Sequence, residues 1–353
     1  MKKDTVVITG GAGFIGTNLA HRFIKNGNAV IIVDNLSRAG SKKNLQWLNR
    51  IYRGRFKLEI MDLKNRCRLE EVLQSAACVY HLAAQVAVTK SLEDPVMDFE
   101  TNLTGTLNIL EILRKLDNPP FLLFTSTNKV YGNLQEIILE KSGQRYTPSD
   151  RNLEKYGVDE KFPLDFYSPY GCSKGAADQY VLDYSRTFGI PAAVFRMSCI
   201  YGPHQFGTED QGWVAHFLIK VLMNEPIIIF GDGCQVRDIL YIDDLVDAMV
   251  LAYKYSKETA GLAFTIGGGP NLGLSLNEFV NKIHKYCDSF PQVVYEPWRL
   301  ADQKYYVSNI QKFRNITGWF PKIETDEGID RLFNWLQLNR NHISSEYEKE
   351  KIA

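Results

Sequence analysis

Tyr170 and Lys174 are the first two residues of this chain whose types and spacing could do acid–base chemistry together. They lie in Ser-Pro-Tyr-Gly-Cys-Ser-Lys, residues 168–174, where Ser168 suits a helix N-cap and Pro169 suits the first helical position. Residues four apart share one face of a helix. Because a lysine ammonium beside a phenol favours the phenolate, we expect a lowered tyrosine pKa and a general base that works near neutral pH.

A hydroxyl at the end of a predicted strand supplies a third candidate for the same chemistry. In Phe-Thr-Ser-Thr-Asn-Lys-Val-Tyr-Gly, residues 124–132, Thr127 follows a buried strand pattern. Parallel α/β sheets bind ligands at the carboxyl ends of their strands. We therefore expect Thr127 to hydrogen-bond a substrate hydroxyl and to help its proton reach Tyr170. The alternative for Thr125, Ser126 and Thr127 is ordinary polarity at a strand end, and the Tyr–Lys pair alone would be equally typical of a solvated helix face.

A glycine-rich turn near the start of the chain predicts a dinucleotide site. Gly10, Gly13 and Gly16 follow a strand pattern at 6–9 and open a helix pattern at 14–26. In such a turn the first glycine permits the tight bend, the second allows close approach of a pyrophosphate, and the third allows the helix to pack on the strand. The helix N-terminus then offers free N–H groups to the anion.

An acidic residue at the end of the next strand indicates which dinucleotide binds. Asp34 follows Gly16 at about the offset expected of a carboxylate that binds the adenosine ribose. A carboxylate there would repel a 2′-phosphate, so NAD is expected, and the positive nicotinamide ring would also favour a Tyr170 phenolate. Arg38 could pair with a 2′-phosphate, so NADP is the alternative. Asp62 is expected near the adenine, and residues 81–85 are expected to let the dinucleotide lie close to the sheet.

The elements that must position these residues alternate between strands and helices. Strands are predicted at 6–9, 29–33, 57–60, 78–81, 121–125 and 192–195, with helices at 14–26, 96–116 and 169–188. This alternation predicts an α/β fold with a doubly wound parallel sheet, a Rossmann domain. Helices are also expected at 275–286 and 325–338. We expect an NAD-binding domain over 1–200, completed by parts of 235–265, a smaller substrate-binding α/β domain over 201–340, and a polar tail at 341–353.

Composition excludes several other classes of protein. The 353 residues carry 41 basic and 41 acidic side chains, a net charge of zero that argues against a nucleic-acid binder. The six cysteines form no CxxC pair and no histidine stands near them at ligand spacing, so we predict free thiols and no metal site. Neither a signal peptide nor an apolar run long enough for a membrane helix is present, and a cytoplasmic protein is expected.

Together these motifs resemble the extended short-chain dehydrogenase/reductase family, and within it the nucleotide-sugar epimerases. The resemblance extends from the first strand to the C-terminal tail. Residues 34–38, 126–132, 168–180 and 210–214 resemble the branch that inverts carbon 2 of CDP-linked hexoses such as CDP-paratose, CDP-tyvelose or CDP-glucose. It implies a tightly held NAD, oxidation to a 2-keto sugar, rotation of that sugar and re-reduction. It also implies a homodimer built from the helices at 96–116 and 169–188.

The resemblance also assigns roles to individual residues. Thr127, Tyr170 and Lys174 take the catalytic positions. The further NAD contacts it implies are Phe14, Ile15, Asn35, Ser37, Arg38, Asp62, Leu63, Leu82, Ala83, Ala84, Gln85, Asn102 and Thr125. The implied substrate contacts are Gln85, Thr127, Asn128, Ser198, Gln211, Trp213, Arg237, Arg299 and Asp302, with Arg237 as the diphosphate clamp. Ser198 stands where the family often has asparagine, and Trp213 fits core packing as well as a substrate wall.

Four other functions are compatible with parts of this pattern. A 4,6-dehydratase needs an Asp-Glu pair after the catalytic threonine, and a related decarboxylase needs the glutamate, whereas this chain has Asn128 and Lys129. An NDP-sugar 4-epimerase of the UDP-glucose/UDP-galactose type shares all three catalytic residues and is the alternative. The non-enzyme alternative is an NAD-sensing regulatory protein, which the complete set of catalytic residues disfavours.

Overall fold

A parallel seven-stranded sheet organises the protein. The computed structural model describes residues 5–38, 40–287 and 289–344. The polar tail expected at 341–353 falls mostly outside the described residues. The strands, β1 to β15 in chain order, are Thr5–Thr9, Ala29–Asp34, Lys57–Ile60, Ala76–His81, Phe121–Thr127, Leu139–Ser142, Arg145–Pro148, Ala192–Met197, Cys199–Tyr201, Ile227–Phe230, Val236–Tyr241, Ala263–Ile266, Gly273–Ser275, Val293–Glu296 and Tyr305–Tyr306.

Helices cover both faces of this sheet. The α-helices, α1 to α14, are Phe14–Lys25, Ser41–Ile51, Arg66–Gln74, Val88–Glu93, Pro95–Phe99, Gly105–Leu113, Arg151–Tyr156, Pro169–Phe188, Trp213–Met223, Ile242–Lys254, Ser256–Thr259, Leu276–Ile283, Gln311–Thr317 and Thr325–Leu338. In the described chain no helix is both long and apolar enough to cross a membrane.

The order of the strands is that of a doubly wound fold. Across the sheet it runs β12-β8-β5-β4-β1-β2-β3, and every neighbouring pair is parallel. The order reverses beside β1, because β2 lies on one side of it and β4 on the other. Ligands of such sheets bind at this reversal, outside the carboxyl ends of the strands. The predicted α/β fold class is confirmed, and its six predicted strands agree with β1 to β5 and β8 to within two residues at each end.

Alternating side chains along the strands fill two apolar layers. Val6 and Ile8 of β1 pack with α1 and α2, whereas Val7 packs with α3, α6 and α8 on the opposite face. Such double coverage explains why these strands read as continuous apolar runs rather than as alternating ones. The core therefore holds the strand ends, and the polar residues that follow them, at one edge of the sheet.

One predicted helix contains a π-helical turn. The single helix expected over 96–116 consists of α5, a π-helical segment at Glu100–Thr104, and α6, which ends at Leu113. The predicted helix is confirmed, since the backbone is helical without a break from Pro95 to Leu113, although it ends three residues early. The π-helical turn lies where the buried side chains of Asp98 and Asn102 bind each other and Ser173. The helix expected at 275–286 is α12 followed by a 3₁₀ turn, His284–Tyr286. The helices expected at 169–188 and 325–338 are α8 and α14.

The C-terminal elements form smaller sheets beside the carboxyl edge. Strand β11 pairs with β9 and β15 in parallel and with β13 antiparallel, while β10 pairs with β14. Strand β12 returns to the main sheet next to β8. The hairpin β6–β7 packs against this part through the Tyr146 N–H, which donates to the Cys234 carbonyl at 2.9 Å. The segments after Tyr201 thus form one wall of the space above the main sheet.

Candidate active site

A cleft of about 410 Å³ runs along the carboxyl edge of the main sheet. It is bounded by the turns after β1, β2, β4 and β5, by α8, and by the segment 204–214. Thr127, Tyr170 and Lys174 line it together with Gly10, Gly13 and Gly16. The two constellations found separately in the sequence therefore open onto one space.

The glycine turn has the backbone geometry that its sequence predicts. Gly10 has φ +68°, and a Cβ atom there would lie 2.7 Å from the Ala83 nitrogen. A Cβ atom on Gly16 would lie 2.6 Å from the Gly11 Cα, so helix α1 could not pack as closely on β1. Gly13 caps α1 without a side-chain hydrogen bond, so the first N–H groups of α1 remain directed at the cleft. This cradle fits a pyrophosphate.

Asp34 lies at the end of β2 and organises the turn beside it. Its two carboxylate oxygens accept hydrogen bonds from the Ala12 N–H at 3.0 Å and the Leu36 N–H at 2.8 Å. Burial raises the pKa of this carboxyl, and the two N–H donors act in the opposite direction. Next to it, Asn35 donates to Asp62 at 3.2 Å, and both residues line the cleft. These acceptors suit the hydroxyls of an adenosine ribose.

Most of the other expected NAD contacts also line the cleft. They are Phe14, Ile15, Ser37, Arg38, Leu63, Leu82, Ala83, Ala84 and Thr125. Ser126, which was not predicted, lines it as well, and its buried hydroxyl has no hydrogen-bond partner among the described residues. A buried hydroxyl without a partner is costly, so a polar group of a bound ligand is a natural partner for it. The residues present thus fit a dinucleotide.

Gln85 and Asn102 lie apart from the residues that line the cleft. The Gln85 side-chain amide donates to Asp98 at 2.8 Å, and its backbone N–H donates to the side-chain Oδ1 of Asn102 at 2.9 Å. Asn102 donates to Asp98 at 3.1 Å and to Ser173 at 3.0 Å. Their side chains therefore support the wall formed by α8, and direct contact with NAD or substrate stays a prediction.

Asp98 is the centre of this support, and the sequence analysis missed it. Its side chain is fully buried and also accepts a hydrogen bond from Ser173, which lies on α8 between Tyr170 and Lys174. The adjoining π-helical segment widens the helix where Asn102 turns inward. An acidic residue within an otherwise apolar helical pattern was the available signal.

Helix α8 begins with the cap that its sequence predicts. The Ser168 hydroxyl accepts a hydrogen bond from the Gly171 N–H at 3.2 Å, and Ser168 adopts φ +79°, a region that non-glycine residues seldom occupy. The Tyr170 N–H donates to the Ser91 hydroxyl at 3.1 Å. Together these bonds fix the first turn of α8, which carries Tyr170 into the cleft.

Burial dominates the titration of the two catalytic candidates. It raises the pKa of Tyr170 to about 12, and a hydrogen bond with Thr127 opposes that rise. Burial lowers the pKa of Lys174 to about 7, with Asp178 and Asp98 acting in the opposite direction. The expectation that Lys174 by itself lowers the pKa of Tyr170 is wrong for the protein's own residues. The Lys174 ammonium instead donates to the Thr125 carbonyl at 2.6 Å and lies 4.2 Å from the Phe124 ring centre.

The opposite end of the cleft carries five of the expected substrate contacts. Thr127, Asn128, Ser198, Gln211 and Trp213 all line it. Asn128 donates to Gln303 at 3.1 Å, Ser198 donates to the Asp238 carbonyl at 2.8 Å, and the Trp213 indole lies 3.3 Å from the Cys199 sulfur. The Gln211 carbonyl oxygen accepts a hydrogen bond from Arg38, which joins the substrate side to the adenosine side.

Three expected substrate contacts lie behind this wall. Arg237 donates to Asp302 at 2.8 Å and to the Val236 carbonyl at 2.8 Å, and its side chain is 8% exposed. Arg299 donates to the Glu209 carbonyl at 3.1 Å and lies 3.7 Å from the Phe230 ring centre. Arg237, Arg299 and Asp302 are absent from the cleft lining in the described chain. The cations that reach the cleft on this side are Lys129 and, beside Gln211, Arg38.

The chain matches the model of a known protein family. The sequence profile of the NAD-dependent epimerase/dehydratase family matches residues 6–267, which include every strand of the main sheet and all three catalytic candidates. The chain belongs to this family. Within the described residues no group of three or more histidine, cysteine, aspartate or glutamate side chains could hold a metal ion.

Relatives within the family include epimerases, dehydratases and decarboxylases. A CDP-paratose 2-epimerase from Salmonella typhi is 41% identical over 338 residues, covering 94% of this chain and 98% of the relative. A UDP-glucose 4-epimerase from Thermotoga maritima, solved with UDP-glucose, is 30% identical with a TM-score of 0.79, covering 95% and 99%. A UDP-glucuronic acid 4-epimerase from Bacillus cereus, solved with UDP-glucuronic acid and NAD, is 27% identical with a TM-score of 0.81, also covering 95% and 99%.

Proposed function

We propose that this protein is an NAD-dependent epimerase that inverts carbon 2 of a CDP-linked hexose, CDP-paratose or CDP-glucose. The observation that carries the proposal is the convergence of Thr127, Tyr170 and Lys174 on the cleft that holds the glycine turn. The 2-epimerase from Salmonella typhi, at 41% identity over nearly the whole chain, supports CDP and carbon 2 over the alternatives.

Each catalytic residue has a distinct task in this proposal. The chemistry that NAD would supply when bound is the reversible acceptance of a hydride from carbon 2. Tyr170 takes the proton of the carbon 2 hydroxyl and returns it after the 2-keto sugar has turned over in the cleft. Thr127, which is hydrogen-bonded to Tyr170, orients that hydroxyl. Lys174 is anchored on the Thr125 carbonyl, and it favours the Tyr170 phenolate only together with the positive nicotinamide ring of bound NAD, because Lys174 alone does not lower the pKa of that phenol.

The residues after Thr127 separate this proposal from an eliminating enzyme. Asn128 and Lys129 line the cleft where a dehydratase would need a carboxylic acid and a carboxylate. Neither an amide nor an ammonium can abstract a carbon-bound proton as a carboxylate does. The set of residues therefore supports oxidation followed by return of the same hydride, without loss of water.

Further properties belong to the proposal. We propose that the region 1–200 holds NAD tightly, one per subunit, that 201–340 contributes mainly to the substrate side, and that the protein works in the cytoplasm. A homodimer is proposed because α5 and α8 expose apolar side chains, with Val96 67%, Phe99 51% and Phe188 47% exposed. Such a pair of helices fits an isologous interface.

The substrate is tested with the purified protein and no added cofactor. CDP-glucose, CDP-paratose and UDP-glucose are incubated separately, and the products are identified by NMR. The proposal expects inversion at carbon 2 of a CDP-sugar. Inversion at carbon 4 alone would support the 4-epimerase alternative. Tyr170→Phe is the matched variant, and it should retain NAD while losing activity by a factor of about 10² to 10⁴. Unchanged biological function in this variant would instead favour an NAD sensor.

A further inference from the structure

Lys129 occupies an unusual place at the substrate end of the cleft. It follows Thr127 by two residues in the turn that ends β5, and its backbone N–H donates to the Thr127 hydroxyl at 3.2 Å. Among the described residues that line the cleft, the lysines and arginines are Arg38, Lys129 and Lys174. Arg38 follows the adenosine carboxylate and Lys174 faces Thr125. Lys129 is therefore the lining cation that shares the turn of Thr127, whereas Arg38 meets the substrate side at Gln211.

The surroundings of Lys129 leave a net positive charge. Its ammonium donates to the Ala301 carbonyl at 3.0 Å and lies 3.6 Å from Asp302. Asp302 is already hydrogen-bonded to Arg237 at 2.8 Å, so two cations share one carboxylate. An ammonium has three donors, of which Ala301 and Asp302 take two, so one is left for a ligand. Burial lowers the pKa of Lys129 and Asp302 opposes the fall, while the side chain keeps 20% of its surface accessible. The arrangement fits an additional anion.

The chemistry of sugar nucleotides indicates which anion lies beside Thr127. Their sugar is bonded through carbon 1 to the β-phosphate, and carbon 1 is the neighbour of carbon 2. A sugar that presents its carbon 2 hydroxyl to Thr127 and Tyr170 brings this phosphate close to the same turn. A sugar that presents carbon 4 holds the phosphate across the ring. A cation two residues from Thr127 thus suits reaction at carbon 2.

We propose that Lys129 binds the sugar-linked β-phosphate of the substrate and so favours presentation of carbon 2. This rests on the proposed function for its substrate class. Lys129 adds a phosphate contact to the one predicted for Arg237, whose guanidinium in this structure donates to Asp302 and to the Val236 and Gln303 carbonyls. Arg237 then acts through Asp302 by limiting how far that carboxylate neutralises Lys129.

Binding of CDP, CMP and cytidine to the NAD-containing protein tests this proposal. Lys129→Met should weaken CDP binding by about 10- to 100-fold, the range for a lost charge-assisted hydrogen bond. It should weaken CMP less and leave cytidine unchanged, and Lys129→Arg should recover part of the CDP affinity. Lys115→Met, which removes an exposed lysine, is the control and should change none of these constants.

Kinetics and stability complete the test. With CDP-glucose, Lys129→Met should raise KM by a similar factor while the retained NAD stays unchanged. Equal CDP affinity in Lys129→Met and wild type would overturn the proposal. If the variant lost unfolding stability but kept its CDP affinity, Lys129 would have only a structural role, holding the turn against residues 301–302. Absence of 2-epimerase activity in the wild type would contradict the proposed function. The CDP binding measurement requires no catalysis, so it would still test the role of Lys129.

Discussion

Lys174 is expected to reduce the stability of the folded protein even though catalysis needs it. Its side chain is buried, with 3% of the residue exposed, and burial lowers its pKa from 10.5 to about 7. Asp178 and Asp98 offset only part of this cost. Lys174→Met, which keeps a side chain of similar length without charge, should therefore abolish activity while making the fold more stable at neutral pH.

The size and pH dependence of this gain follow from the pKa. A fall from 10.5 to about 7 corresponds to about 4 kcal/mol at pH 7. Removing the ammonium also leaves the Thr125 carbonyl without that donor, which costs about 1–3 kcal/mol. The net gain for Lys174→Met is about 1–3 kcal/mol. Between about pH 7 and 10.5 the unfolded chain holds the Lys174 proton more often than the folded protein, so wild-type stability rises with pH in this window.

Urea unfolding at pH 7 and pH 10, with NAD removed from both proteins, measures the difference. At pH 10 the penalty for burying Lys174 falls to about 1 kcal/mol while the cost at the Thr125 carbonyl remains, so the gain of Lys174→Met over wild type should disappear or reverse by up to about 2 kcal/mol. Lys115→Met, at an exposed position, should follow wild type at both pH values. A Lys174→Met protein that is less stable than wild type by the same amount at both pH values would refute the argument that this buried ammonium costs stability.

Three further substitutions test the remaining parts of the site. Gly16→Ala should lose most of the NAD that the protein retains through purification, because its Cβ would clash with the Gly11 backbone. An unchanged amount of NAD released when the purified variant is denatured would contradict this close packing. Asp34→Ala should weaken NAD binding and relax the exclusion of NADP, measured by competition between the two; an unchanged preference would show that the carboxylate does not choose the cofactor. Asp98→Asn should lower the free energy of unfolding by about 1–3 kcal/mol, because the new amide NH2 would face the N–H donors of Gln85 and Asn102. Unchanged urea unfolding would contradict the role of this buried network.

The main sheet and the catalytic residues could be predicted because their signals are local. A strand, a glycine turn and a helix follow one another at Gly10 to Gly16, and Tyr170 and Lys174 are fixed relative to each other by one helical turn. Periodicity and capping act over a few residues, so sequence alone suffices for them.

Contacts between distant segments could not be predicted in this way. Asp98 meets Ser173, and Arg237 meets Asp302, only after the chain has folded. The sequence predicts that Arg237 contacts substrate, and this stays a prediction; its hydrogen bond to Asp302 is what the sequence could not show. The expected pKa of Tyr170 was wrong for a related reason. The effect of burial depends on everything packed around the phenol, and not only on its neighbour Lys174.

The central claim is that one hydride leaves carbon 2 and returns to the same carbon within the cleft. CDP-glucose deuterated at carbon 2, incubated with the purified protein in ordinary water without added NAD, tests it directly by NMR and mass spectrometry. The account predicts a product inverted at carbon 2 that keeps its deuterium. Loss of the label to solvent, or inversion at carbon 4 with carbon 2 untouched, would contradict it.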